Sequence, residues 1–191
     1  TFYAWPRYYF RVFNDLMRYG VGDITHSSGH HDHFNQWMWQ RLLWSPRLTV
    51  KQVVEEYCQT WFGNEAAPLM AKAIFQLEKN LEEIPGTPLS QKEGIDKYYQ
   101  LVKNAGQQMP AELMKNNWLW RMYMQKAVLD KYIKLSVQQQ LKLEQKIEQT
   151  TRTILDAPNP KNNIDEMLTW FDTLVETPEM AQLREEAGKL G

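Results

Sequence analysis

The stretch 116–137, NNWLWRMYMQKAVLDKYIKLSV, carries two apolar stripes at helical spacing. Trp118, Met122, Leu129, Ile133 and Val137 fall on one. Trp120, Met124, Val128 and Leu135 fall on the other. Apolar residues recurring three and four apart mark the face of a helix. A helix with two such faces needs neighbours on two sides, so this one belongs in the middle of a bundle. Pro110 can open it, and the helical pattern extends to Leu155. Beyond Val137 the sequence QQQLKLEQKIEQTTR is polar, with only a thin seam at Leu143 and Ile147. That half is expected at the surface.

Outward from this helix, nearly every segment reads helical. Pro6 can start a helix and Gly20 can end it, with Tyr9, Phe13, Leu16 and Met17 on one face. Residues 34–44 are apolar almost all round. Thr49 and Gln52 make a capping box ahead of Val50, Val53, Val54, Tyr57 and Trp61, and Gly63 closes that helix. Asn64 can cap the next, with Pro68 inside its first turn and Ala67, Met70, Ile74, Leu77, Leu81 and Ile84 along its stripe. PGTP at 85–88 is a turn, and Ser90 with Glu93 forms a second capping box. DAPNPKNN at 156–163 breaks the chain before two short helices, one with Ile164, Leu168, Phe171 and Val175, one opened by Thr177 and Pro178. VGDIT at 21–25 is the only plausible strand. The expected class is mainly α, an antiparallel helical bundle, since the connections are short.

Composition excludes several functions. The 191 residues suit one domain or one and a half. With 22 Lys+Arg against 23 Asp+Glu, net charge is −1, which is no footprint for nucleic acid. No run of 18 apolar residues exists to span a membrane. A lone cysteine, Cys58, cannot form an internal disulfide and leaves the redox compartment open. The abrupt start at Thr1, inside TFYAWPRYYF, suggests a cut from a longer polypeptide or a processed product.

Candidate chemistry concentrates in HSSGHHDHFNQWMWQRLLWSP, residues 26–46. Three readings compete. His26, His30 and His33 are spaced four and three apart, which would align them on a helix for a metal. Ser27, Ser28 and Gly29 argue for a loop instead, and no HExxH or Cys/His zinc spacing accompanies them. No native metal site and no cofactor are expected. Alternatively, Asp32 caps the helix that follows, accepting from first-turn amides. Thirdly, strand, polar loop and helix in succession is how a β/α barrel builds its active face, with VGDIT as strand and HSSGHHDH as loop.

These residues resemble a segment of bacterial glycoside-hydrolase-like proteins with a β/α barrel, related to the family 20 hexosaminidase group and in many cases uncharacterised. Their segment reads roughly Tyr-Ser-Glu-Gly-x-His-Asp-Asp-x-Asn-Lys, then Trp, then Leu-x-Trp-x-Pro. Here His26 stands for the Tyr, while Ser27, Gly29, His31, Asp32, Asn35 and Trp39 match, and LLWSP closes the motif. VVEEYCQTWFG and NNWLWRMYMQKAVLDKYIKL are similar to the helices that follow in that family. The resemblance spans residues 7 to about 140. Ser28 replaces the family's Glu, and His33 replaces its second Asp.

The resemblance implies that residues 1–48 are a terminal strand-loop-helix segment of a barrel and 49–191 a C-terminal helical bundle. It implies a barrel in the preceding part of the same polypeptide as partner, a carbohydrate ligand, and a periplasmic or extracellular parent protein. His26, Ser28, His31, Asp32 and Asn35 become candidate sugar-binding residues, each with loop-stapling hydrogen bonds as the alternative role. Glycoside hydrolysis usually takes two carboxylates about 5 to 10 Å apart. Asp23 and Asp32 are the only carboxylates near the loop, so no activity is expected of this chain alone. The alternative is a non-catalytic helical module that binds a partner or glycan through surface aromatics, with Trp5, Tyr8, Trp37 and Trp61 as candidates.

Overall fold

The computed structural model describes residues 3–23, 26, 29, 32–82, 87–154, 160–171 and 176–190. The described residues form a mainly α-helical bundle with no strand. Its helices are α1 (Pro6–Leu16), α2 (His33–Trp44), α3 (Val50–Phe62), α4 (Ala67–Glu82), α5 (Glu93–Gln108), α6 (Ala111–Asn116), α7 (Trp118–Ile154), α8 (Pro160–Phe171) and α9 (Pro178–Leu190). Sequence expectations for Ile24, Thr25, Ser27, Ser28, His30, His31, Ile84, Pro85, Gly86, Leu155 and Val175 lie outside the described residues.

Two compact units are present. The first comprises residues up to 87 together with 93–127, and the second residues 88–92 with 128–189. In the first, α1 packs on α2, α3 and α4, and α4 packs on α5. Its core is aromatic and edge-on. Phe34 meets Tyr57 at 5.0 Å, Tyr57 meets Phe62 at 5.9 Å, and Phe62 meets Tyr123 at 5.7 Å. Such edge-to-face pairs add about 0.5–1.5 kcal/mol each beyond their buried area. Burial pushes the Tyr57 phenol and the Cys58 thiol well above their ordinary ranges, so Cys58 is a core thiol.

Local signals set several helix ends. The Thr49–Gln52 box forms in both directions, Gln52 N–H donating to Thr49 Oγ1 and Thr49 N–H to Gln52 Oε1. Gly63 ends α3 at φ 83°, in the left-handed region that favours glycine. Thr177 Oγ1 accepts from Met180 N–H and starts α9.

Elsewhere the structure departs from local reading. The helix opened near Pro110 is not continuous: it stops at Asn116 and restarts at Trp118. Asn117 causes the break. Its Oδ1 accepts from Trp120 N–H at 2.8 Å, capping α7, while its Nδ2 donates to the Trp61 carbonyl, 56 residues away. Ser90 makes no capping box, because Leu89–Gln91 is a 3-10 turn and Ser90 is buried within it. The helix expected at Asn64 begins at Ala67, after a turn. Leu16, placed on the apolar face of α1, is 54% exposed. The expected strand VGDIT is not seen in its described part: Val21 lies in a bend, and Gly22 and Asp23 have no regular structure. A strand needs a ladder partner, and none is provided among the described residues.

One long-range contact seats α1. Pro6 has no N–H, so Arg7 and Tyr8 carry the unpaired amides of the first turn. Both donate to Glu78 Oε1 of α4, at 2.7 and 3.1 Å. Arg7 Nη1 reaches Glu78 Oε2 at 3.0 Å, and its guanidinium lies over the Phe75 ring. The Glu78 side chain is fully buried.

The second unit is held by polar bonds to a loop. Lys134 Nζ donates to the Lys92 carbonyl at 3.0 Å and Gln138 Nε2 to the Ser90 carbonyl at 2.7 Å. Lys131 pairs with Glu179 of α9 at 2.7 Å, and Lys146 sits over the Trp170 ring of α8. The polar second half of α7 is exposed, with Leu143 and Ile147 half-buried as its seam suggests.

Gly106 offers a test of packing in the first unit. A Cβ there would meet Trp120 Cζ2 at 2.6 Å and Met114 Cε at 2.8 Å. Alanine favours a helix by about 1 kcal/mol over glycine, but overpacking costs about 1–3 kcal/mol. Gly106→Ala is therefore expected to lower the urea midpoint. A raised midpoint would show that the Trp120 ring is not held there.

Candidate functional site

The amino-terminal end of the first unit holds a cavity of about 240 Å³ lined by Tyr9, Val12, Asp23, His26, Asp32, Asn35, Gln36 and Trp39. Three expected site residues, His26, Asp32 and Asn35, thus share one depression. Ser28 and His31 lie outside the described residues. Helix α1 supplies Tyr9 and Val12, and α2 supplies Asn35, Gln36 and Trp39 on successive turns. The segment between these helices brings Asp23, His26 and Asp32. The volume is below the roughly 300–1,000 Å³ of small-molecule pockets. It can hold part of a ligand.

The lining divides into groups that fix the cavity and groups that face it. Asn35, 3% exposed, is a staple: its Oδ1 accepts from Trp5 N–H at 3.1 Å and its Nδ2 donates to the Tyr3 carbonyl at 3.2 Å. Trp39 donates its indole N–H to Asp23 Oδ2 at 2.6 Å and packs edge-on against Phe13 and Tyr9. Asp32 occupies the N-cap position of α2, as expected, but its side chain makes no capping hydrogen bond there. Its carboxylate instead acts electrostatically on Tyr9. Burial first, then the charges of Tyr3, Asp32 and Tyr8, push the Tyr9 phenol above its ordinary 10.0. Tyr9 therefore keeps its proton at neutral pH and can donate a hydrogen bond to a ligand oxygen.

His33, which aligned with His26 and His30 in sequence, belongs elsewhere. Its Nδ1 lies 3.1 Å from the Tyr57 hydroxyl, and its ring meets Trp61 and Trp118 edge-on. It is a cluster residue of the core side. No group of three or more His, Cys, Asp or Glu among the described residues is arranged to hold a metal ion. Among the aromatics considered for surface binding, Tyr8 is exposed, whereas Trp5, Trp37 and Trp61 are half-buried.

Sequence reasoning missed Tyr9, Gln36 and Trp39 as site residues. Tyr9 and Trp39 carried an apolar helical signal that reads equally as core, and part of each ring does pack there. No spacing rule links Tyr9 to Asp32, since the two meet only through the packing of α1 on α2.

A raised phenol pKa is measurable. Ultraviolet pH titration of the native chain minus its Tyr9→Phe variant should show one phenol with a midpoint above 10.0. In Asp32→Asn that midpoint should fall, because one source of negative charge is gone. The folded state holds this proton more tightly than the unfolded one. Its contribution to stability is therefore complete below pH 10.0 and lost as pH rises through the folded value. A midpoint at or below 10.0, or one indifferent to Asp32→Asn, would contradict the geometry.

Comparison with known families bears on this end of the molecule. A family model described as a domain of unknown function, DUF4838, matches residues 8–74. The matched stretch takes in most of α1, all of α2 and α3 and the first half of α4, and with them every residue that lines the cavity. No curated protein and no solved structure matches the chain. Over residues 8–74 the chain is similar to that domain family.

Proposed function

We infer that this chain is the C-terminal helical part of a carbohydrate-active, glycoside-hydrolase-like protein. Its amino-terminal end seals a β/α barrel that precedes it in the same polypeptide. The segment from Asp23 to Asn35 borders the sugar site.

The observation that carries this reading is an uncovered apolar rim continuous with the cavity. A second depression of about 300 Å³, lined by Leu16, Met17, Tyr19, Gly20, Gly22, Asp23 and Trp39, shares two residues with the first. On it Tyr19 is 89% exposed and Leu16 54%, and neighbouring Val21 is fully exposed. Exposed apolar side chains clustered beside a polar depression mark a surface that another element covers. An adjoining barrel supplies such an element, and would also give the Val21–Asp23 segment strand neighbours.

The available groups suit binding better than bond cleavage. Tyr9 donates, and His26, Asp32 and Gln36 can accept or donate to hydroxyls. Asp23 already accepts the Trp39 indole N–H. Retaining or inverting hydrolysis needs an acid and a second carboxylate on opposite sides of the bond. In this reading the barrel brings them, and the chain by itself does not hydrolyse glycosides.

The test is kinetic and uses the longer polypeptide with its preceding segment. Against a panel of aryl glycosides, His26→Ala and Asp32→Asn should each lower kcat/KM by at least about tenfold, equivalent to about 1.4 kcal/mol. Melting temperatures should stay close to that of the parent. Values within twofold of the parent for both variants, or a preceding segment that forms no barrel, would overturn the reading.

A further inference from the structure

A further cavity lies at the C-terminal end of α3. It measures about 370 Å³ and is lined by Thr60, Trp61, Glu112, Leu113, Asn116, Asn117, Trp118 and Leu119. Its size falls within the range of small-molecule pockets. We propose that it is a binding site for a single pyranose ring, stacked on the indoles of Trp61 and Trp118.

The backbone that carries the two indoles is pinned before any ligand arrives, and His33 packs against both rings. Asn117 is buried and bridges the end of α3 to the start of α7. Its Nδ2 donates to the Trp61 carbonyl, and its Oδ1 accepts from Trp120 N–H in the first turn that carries Trp118. His33 wedges between the same two rings, edge-on to Trp61 at 5.0 Å and to Trp118 at 5.5 Å. Trp118 nevertheless stays 43% exposed. Two large rings on backbone fixed by buried hydrogen bonds, with Trp118 partly exposed, make a preorganised platform. It also explains why α6 and α7 break at Asn117: a continuous helix would have no asparagine free to make this bridge.

The distribution of polarity selects the ligand class. Leu113, Leu119 and the indoles offer apolar surface, while Glu112, Asn116 and Asn117 bring carboxylate and amide groups. A wholly apolar ligand would strip water from those groups without replacing the hydrogen bonds. An anion would meet Glu112, and neither Lys nor Arg lines the cavity. A pyranose presents C–H faces to the rings and hydroxyls to Glu112 and Asn116, both exposed, so it matches both halves. This site shares no lining residue with the Tyr9–Asp32 cavity, and its test uses different side chains and a different readout.

The test is nitrogen-edited NMR of the indole N–H signals of the full 191-residue chain, with Trp61 and Trp118 assigned by single Phe substitutions. Probes are glucose, galactose, N-acetylglucosamine and the β-1,4-linked disaccharides of glucose and of N-acetylglucosamine. At least one should shift the Trp118 signal saturably, with Kd of about 1–10 mM. Trp118→Ala and Glu112→Ala should each weaken that probe about tenfold or more, as followed by the remaining signals of the site. Glu112 is exposed, so its variant keeps the fold even if Trp118→Ala does not. Three results would overturn the proposal: no probe shifting Trp61 or Trp118, choline shifting them where every sugar fails, or sugar shifts that persist unchanged in Glu112→Ala.

Discussion

A buried carboxylate decides where the first helix goes. Glu78 projects from α4 and takes the two first-turn amides that Pro6 leaves to Arg7 and Tyr8, with the Arg7 guanidinium closing the set. An ionised carboxylate without partners would cost several kcal/mol to bury. Here each oxygen is met, and hydrogen bonds to a charged acceptor contribute about 1.5–3 kcal/mol each. The positive end of the α1 dipole adds to the attraction. The sum is a directional clamp. It fixes the start of α1 in position and in rotation about its own axis, which apolar packing alone does not.

Everything at the candidate site follows from that rotation. Tyr9 is one residue beyond the clamped amides, and Phe13 lies one turn further, where it packs edge-on to Trp39. Trp39 in turn holds Asp23, and Asn35 ties Tyr3 and Trp5 to α2. The cavity is thus bounded by side chains whose positions are set by three separate polar contacts, none of which involves a ligand. What remains loose in its design is the outer rim, where Leu16, Tyr19 and Val21 face solvent. The inner wall is thus firmly placed, while the outer edge is apolar and exposed.

Local rules recovered the class of fold and several boundaries that depend on near neighbours in sequence, though not the Ser90–Glu93 box or the Asn64 cap. The Thr49–Gln52 box acts over three residues, the Gly63 end depends on one residue's backbone freedom, and the Thr177 cap again spans three. Other features have distant causes. The break at Asn117 needs the Trp61 carbonyl, and the seat of α1 needs Glu78, 70 residues or more along the chain. The only signal Glu78 carries in sequence is a charge beside an apolar stripe. Likewise the resemblance carried by residues 26–46 groups His26, Asp32 and Asn35 as site candidates, whereas it says nothing of Tyr9, whose partnership with them exists only once α1 lies on α2. The strand expected at VGDIT depends on a ladder partner, and its described residues, 21–23, have none among the described residues.

The clamp itself is open to direct measurement by native-state hydrogen exchange at the backbone amides of Arg7 and Tyr8. Amides in the first turn of a helix usually exchange fast, because they have no intrahelical acceptor. Bonded to Glu78, these two should instead be protected to within about a factor of ten of the Tyr9 amide, which bonds the Trp5 carbonyl. Glu78→Gln should reduce protection at both more than at any amide of α3. Rapid, unprotected exchange at Arg7 and Tyr8 in the native chain would contradict the account.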